Sequence, residues 1–186
     1  MGDIVKQPIS YGSAQLQQFK EDLLSLNSVT SAYGLSLTSE EVADILEARQ
    51  MQQADYGLVE MTPISIEEII TQICTSSFVN SEGYAETIVE FQELYYYLMA
   101  LLEEAEPELI FKLDPEYVVS FLKQLFEEYG GYIDAVRGKI ERFFVNYNIV
   151  DGSTVQFEPI PLDDEDSSIV DLQEWENSLG DESNNG

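Results

Sequence analysis

The sequence predicts an all-α fold: a single-domain bundle of about six helices with a disordered acidic C-terminal tail. Three observations carry this. Apolar residues recur at spacings of three and four along successive stretches of the first 147 residues. Helix-start signals and Gly or Pro stops punctuate those stretches. All eight Lys and Arg lie before residue 151, and the segment from 151 to 186 holds eleven acids, no base and the prolines Pro159 and Pro161, a composition that does not bury a core. The expected organisation is a helical domain over 1–150 and an acidic tail over 151–186.

Taken in order, Leu16, Phe19, Leu23 and Leu26 predict a helix over Ala14 to Leu26. Thr38-Ser39-Glu40-Glu41 reads as a capping box, with Thr38 as N-cap and Glu41 reaching back. It opens a helix whose apolar positions are Val42, Ile45, Leu46 and the aliphatic stem of Arg49, ended by Gly57. Ser65-Ile66-Glu67-Glu68 reads as a second capping box, before Ile69, Ile70, Ile73 and Cys74. The longest helix is expected from Glu82 to Ala105, with Tyr84, Ile88, Phe91, Tyr95, Leu98 and Leu102 as a heptad-like seam and Pro107 closing it. Asp114-Pro115 supplies an N-cap and a first-turn proline for a helix carrying Val118, Phe121, Leu122, Leu125 and Phe126, stopped by Gly130-Gly131. A last helix carries Ile133, Val136, Ile140, Phe143, Phe144 and Tyr147. Only Ser153 to Ile160 alternates over strand length, and it reads as an extended segment.

The charge balance bounds function more tightly than any motif. The chain has 36 Asp and Glu against 8 Lys and Arg, a formal −28, and no histidine. Such an excess deters binding to nucleic-acid backbones and anionic membranes and favours cationic partners. The missing histidine removes the commonest general base and metal ligand. No phosphate-binding glycine loop, Gly-x-Ser-x-Gly or Cys/His pair is present. Asp163 to Glu174 has acids at positions one, three, nine and twelve of a calcium loop, but Ser168 stands where the turn glycine belongs. The expectation is a protein that is not an enzyme, with no catalytic residue, no metal site and no cofactor. The N-terminus carries no charged-then-apolar leader, and Lys6 stands where a myristoylation motif wants Ser or Thr. With no apolar run of spanning length, the expected place is the cytoplasm.

Three stretches together resemble a known family: Tyr33-Gly34-Leu35-Ser36-Leu37-Thr38 through Glu47-Ala48-Arg49, then Gly57-Leu58-Val59-Glu60, then Ser76-Ser77-Phe78-Val79 through Tyr84 to Tyr97. Their order is similar to a small helical domain family of unknown function from clostridial-type bacteria, over roughly residues 30–145. In that family a Gly-Leu-Ser-Leu-Thr opening, an Arg-Val-Glu-Phe turn and a Ser-Pro-Tyr segment recur. Here Leu58 replaces the turn arginine and Phe78 the proline. The resemblance implies an all-helical bacterial cytoplasmic protein and transfers no catalytic residue.

Two groups of residues are candidates for partner binding. Glu82, Glu86, Glu90 and Glu93 recur along one face of the long helix, either as a solvated face or as a docking surface for a protein with a basic surface or groove. In the tail, Ile169, Leu172 and Trp175 fall on one side of a short amphipathic helix expected near 167–179. An acidic segment with a few large anchors is suited to folding on a partner. Of Tyr95-Tyr96-Tyr97, at least one hydroxyl must reach the surface, because consecutive helical residues point about 100° apart. Cys74, beside Ile69, Ile70 and Ile73, reads as a buried, inert thiol. The expected function is therefore a non-enzymatic acidic protein–protein interaction module, adaptor or regulatory. The alternative is a nucleic-acid mimic of the kind phages and mobile elements encode, blocking the basic groove of a DNA- or RNA-binding enzyme.

Overall fold

A computed structural model describes residues 12–58, 60, 62–105 and 113–145, with the backbone alone at 143 and 145. Tertiary contacts group Met1–Phe144 as one unit and Val145–Gly186 as another. The border near 150, the extended segment, the helix near 167–179 and its anchors Ile169, Leu172 and Trp175 lie outside the described residues, as do Pro107 and Tyr147.

Among the described residues the fold is all-α, with no strand. Helix α1 is Ser13–Ser25, and its Phe19 and Leu23 turn inward as their spacing predicts. A one-turn helix, α2 (Asn27–Thr30), and a 3-10 turn (Ser31–Tyr33) follow. Gly34 ends that turn in the left-handed region at φ 75°. Leu35 and Leu37 then drop into the core at 2% and 4% exposure, and Asn27 holds the strand of chain between them by accepting from Leu37 N–H and donating to Leu37 O, both at 2.8 Å. The Gly-Leu-Ser-Leu-Thr stretch thus has a physical role at every position but Ser36, ending in Thr38 as N-cap.

Helix α3 (Ser39–Tyr56) carries the expected capping box in full. Thr38 Oγ1 accepts from Glu41 N–H, and Glu41 Oε2 accepts from Thr38 N–H at 2.7 Å. These bonds hold the Glu41 carboxyl below its usual range. Gly57, at φ 72°, closes the helix. Helix α4 is Ile64–Ile73, and here the expectation of a second capping box is overturned. Pro63 occupies the N-cap and makes no side-chain cap. Ser65 sits inside the first turn, fully buried, and donates both its N–H and its hydroxyl to Glu60 at 2.8 Å. A carboxylate arriving from the preceding turn does the capping that Ser65 and Glu68 were expected to do.

Helix α5 (Tyr84–Ala105) is the central element. All six seam residues, Tyr84 to Leu102, are buried, joined by Gln92, Leu94, Tyr96 and Met99. It starts two residues later than predicted because Gly83 stands at φ 87°, a conformation no right-handed helix contains. Asp114 and Pro115 start α6 (Pro115–Glu128) as expected, Asp114 accepting from Glu116 N–H at 3.1 Å. Its buried stripe is Val118, Val119, Leu122, Leu125 and Phe126, with Phe121 half-buried instead of inside. Gly130 and Gly131, both at positive φ, turn the chain into α7 (Ile133–Val145).

Helix α5 packs on α3, α4 and α6, α4 packs on α6, and α1 covers α3. In the core Phe91 and Phe126 meet edge to face at 4.9 Å, and the more exposed Phe78 meets Phe126 edge to face at 6.2 Å. Each fully buried Ile, Leu or Phe of this set contributes about 1.5–3 kcal/mol by leaving water. Cys74 is buried and its thiol donates to Thr71 O at 3.1 Å, with burial pushing its pKa up. No helix among the described residues is long and apolar enough to cross a membrane.

Candidate functional site

Two polar constellations stand out against this core, and the sequence had pointed to only one. The first is a buried hub under the turn between α3 and α4. Arg49 on α3 is 1% exposed, with its whole guanidinium inside and not its stem alone as the sequence suggested. Phe19 of α1 covers it, ring centroid 5.9 Å from the guanidinium carbon. Arg49 Nη2 donates to the carbonyls of Glu60 (2.6 Å) and Thr62 (2.8 Å) and pairs with Glu60 Oε2 at 3.4 Å.

Glu60 gathers the rest. It accepts from Ser65 N–H and Ser65 Oγ, and from the Tyr96 hydroxyl of α5 at 2.7 Å. Gln53, one turn beyond Arg49 and 1% exposed, completes the hub. Its amide is satisfied with the oxygen turned to Arg49 Nη2 and to the Glu60 N–H, each 3.2 Å away. Burial, followed by the nearby Glu60 charge, raises the Tyr96 pKa far enough to keep the hydroxyl protonated and donating at any ordinary pH. Four helices and one turn therefore meet on one carboxylate and one guanidinium. Arg49 is enclosed, the Glu60 side chain is 19% exposed, and their shared contacts tie α1, α3, α4 and α5 together.

The second constellation is the predicted glutamate row. It is less uniform than its spacing implied. Glu82 is exposed but precedes the helix. Glu86 and Glu90 lie exposed on α5. Glu93 is half-exposed and engaged: Arg137 of α7 donates to its Oε1 at 3.0 Å, and the Tyr56 hydroxyl stands 3.5 Å from the same oxygen. Arg137 also stacks over Tyr97, 5.2 Å from the ring centroid, and Tyr97 in turn tilts against Tyr56 at 6.1 Å. Burial by itself lowers the Arg137 pKa, but the Tyr56 hydroxyl and the Glu93 carboxylate outweigh it, so Arg137 is held charged.

Of the three consecutive tyrosines, Tyr95 and Tyr96 are buried and Tyr97 reaches the α7 side, half-buried. Among the described residues Glu90 has no such cation. Partial burial, then Asp134 on α7, then Glu93 and Glu86, raise its carboxyl pKa. The face is an acidic crescent across α5 and the start of α7, in which Arg137 neutralises one end only.

Among the described residues no group of three or more His, Cys, Asp or Glu is placed to hold a metal ion. The signals that would have found the hub were present. Arg49 is one of only eight bases and sits on the apolar stripe four residues from Ile45 and from Gln53. Glu60 closes the Gly57-Leu58-Val59-Glu60 segment that carried the family resemblance. The Arg137 contact joins residues 44 apart in sequence through tertiary packing, and helical periodicity contains no trace of it.

No curated protein and no solved structure gives a significant match to the chain. A family model does match, over residues 22–150. That span runs from the last turns of α1 through α7 and takes in both the Arg49–Glu60 hub and the glutamates of α5. The chain belongs to the family of unknown function DUF6323.

Proposed function

We propose that this protein is a non-enzymatic interaction module of a bacterial cytoplasm, which docks a basic protein partner through its acidic surface. The observation that carries this is the crescent of Glu86, Glu90, Glu93 and Asp134. Partial burial first, and then the nearness of Asp134, Glu93 and Glu86, raise the Glu90 pKa, while Arg137 pairs with Glu93. Like charges held together by a rigid helix are relieved when a cationic surface approaches, and such complementarity speeds encounter and selects partners. The hub supports the same reading from the structural side. Its charged groups are consumed in tying helices together, whereas Glu86 and Glu90 lie exposed on α5.

Trp175, Leu172 and Ile169 of the tail are proposed as the apolar anchors that hold the partner once charge has brought it near. Nucleic-acid mimicry is favoured less. A mimic needs an unbroken row of carboxylates, and here Glu82 falls off the helix while Glu93 is shared with Arg137. The test is capture from a native cell extract by the immobilised protein, with a Glu86→Gln/Glu90→Gln/Asp134→Asn variant alongside. Basic proteins retained by the first and lost from the second are the expected result. A retained set indifferent to these substitutions would refute the proposal. Retained proteins that all bind nucleic acid, and are displaced by it, would favour the mimic.

A further inference from the structure

We infer that a groove between α3 and α5 receives an arginine or lysine side chain presented by a basic polypeptide. This deepens the proposed function and rests on it. The groove encloses about 290 Å³ and is lined by Ala48, Met51, Gln52, Asp55 and Tyr56 of α3 and by Glu93 of α5. That is at the lower end of ligand-site volumes, which begin at about 300 Å³, so it suits one long side chain better than a whole small molecule.

Its chemistry is that of a cation site with an apolar wall. Asp55 and Glu93 put carboxylates on facing helices, Tyr56 offers a ring, and Met51 is 60% exposed at the rim. A methionine so placed provides a polarizable, adaptable surface for an aliphatic stem. Behind Gln52, fully buried Gln92 donates to the Gln52 amide oxygen, while its own amide oxygen has no partner among the described residues.

The fold already contains one worked instance of this recognition. Tyr56 and Glu93 line the groove and also meet Arg137, whose guanidinium pairs with Glu93 and stacks on Tyr97. The chain's own Arg137 shows that Glu93 accepts a guanidinium in a charge-assisted pair, while Tyr97, outside the groove, supplies the stacking ring. The groove shares Tyr56 and Glu93 with that contact, and no Lys or Arg of the described residues lines it.

The test uses the full chain with carbon-13 methyl-labelled methionine, which gives one reporter in the groove (Met51) and three elsewhere (Met1, Met61, Met99). The probe is a capped octapeptide alternating arginine and serine, with a glutamate–serine octapeptide as control. The expected result is a saturable shift of the Met51 methyl with the arginine peptide alone. Asp55→Asn should weaken it about fivefold, as loss of one exposed charge pair does. Met51→Lys, at an exposed position that leaves the fold intact, should weaken binding at least as much when followed by peptide anisotropy. Saturable binding that shifts the amides of Glu86 and Glu90 but leaves the Met51 methyl in place would overturn the groove while sparing the interaction module. No saturable binding of the arginine peptide would also overturn the groove, and the extract capture then judges the module independently.

Discussion

Replacing Glu60 with alanine removes the one carboxylate that Arg49, Tyr96 and Ser65 share. The magnitude follows from what is left behind. Arg49 is 1% exposed and Ser65 and Tyr96 are no more than 1% exposed, so water does not readily replace the lost acceptor. A buried hydroxyl without its partner costs about 1–3 kcal/mol, and a buried charge without its counter-charge about 3–5 kcal/mol. These terms overlap, because one carboxylate serves all of these donors and Glu60's own side chain is 19% exposed. We expect about 3–5 kcal/mol in total, against about 5–15 kcal/mol for a whole domain of this kind.

Glu60→Gln keeps the shape but turns its amide NH2 toward a donor whichever way it lies, Ser65 N–H on one side or Ser65 Oγ, Tyr96 and Arg49 on the other, and should cost about 1–3 kcal/mol. The sharper experiment is the double variant Arg49→Met/Glu60→Gln. Removing the cation together with the anion should cost less than the two single changes added, by about 1–3 kcal/mol of coupling. Urea unfolding followed by circular dichroism reads all four proteins. Additive single changes, or a Glu60→Ala variant within about 0.5 kcal/mol of the parent as surface substitutions are, would refute the claim that this carboxylate organises the hub.

Further outcomes follow from other parts of the fold. Gly131→Ala places a Cβ 2.6 Å from the Cβ of Phe78 at φ 85°, whereas at Gly34, φ 75°, a Cβ meets nothing within 4 Å. Thermal unfolding should show a loss of about 1 kcal/mol for Gly34→Ala, the backbone term alone, and a clearly larger one for Gly131→Ala. Cys74 should be silent to an aromatic disulfide reagent in the folded protein and react on unfolding, since it is buried and its pKa is raised; rapid labelling of the native protein would contradict this. The folded-state pKa values of Glu90 and Glu67 are raised, burial being the first cause in each. The folded protein therefore holds these protons more tightly than the unfolded chain, and their contribution to stability is lost as pH rises through the carboxylate range. Glu90→Gln should raise the melting temperature at neutral pH and shrink the gain seen on lowering the pH to about 5, and a variant no more stable than its parent would count against the crowding. Finally, Trp175→Ala/Leu172→Ala should cost about 2 kcal/mol or more of partner affinity, mainly through faster dissociation; unchanged dissociation would remove the tail from the binding account.

Most of the helical architecture was legible because it rests on local rules. The Thr38–Glu41 box, the Asp114-Pro115 start and the Tyr84 to Leu102 seam each follow from spacing and capping chemistry within one or two turns, and each stands in the fold as read. The failures are equally physical. Ser65 looked like an N-cap because Ser-x-x-Glu is the usual signature, yet a carboxylate five residues upstream satisfied its N–H first. Glu82 was counted with the helix because the acidic period extends to it, but Gly83's positive φ cuts the helix behind it. Arg49 looked like a stem lying along a core, since a buried guanidinium needs several acceptors and those come from a turn whose path no periodicity encodes. The glutamate row was visible as a pattern, whereas its division into the engaged Glu93 and the crowded Glu90 depends on where α7 lands.

The central claim, that acidic surface recruits a basic partner, is tested most directly by the rate of association with a captured partner as salt is raised. Stopped-flow measurements should show association slowing at least about tenfold from low to physiological ionic strength, as electrostatically steered encounters do. The Glu86→Gln/Glu90→Gln/Asp134→Asn variant should start slower and lose most of that salt dependence, with dissociation little changed. Association that is indifferent to salt, or equally fast in the variant, would contradict the account.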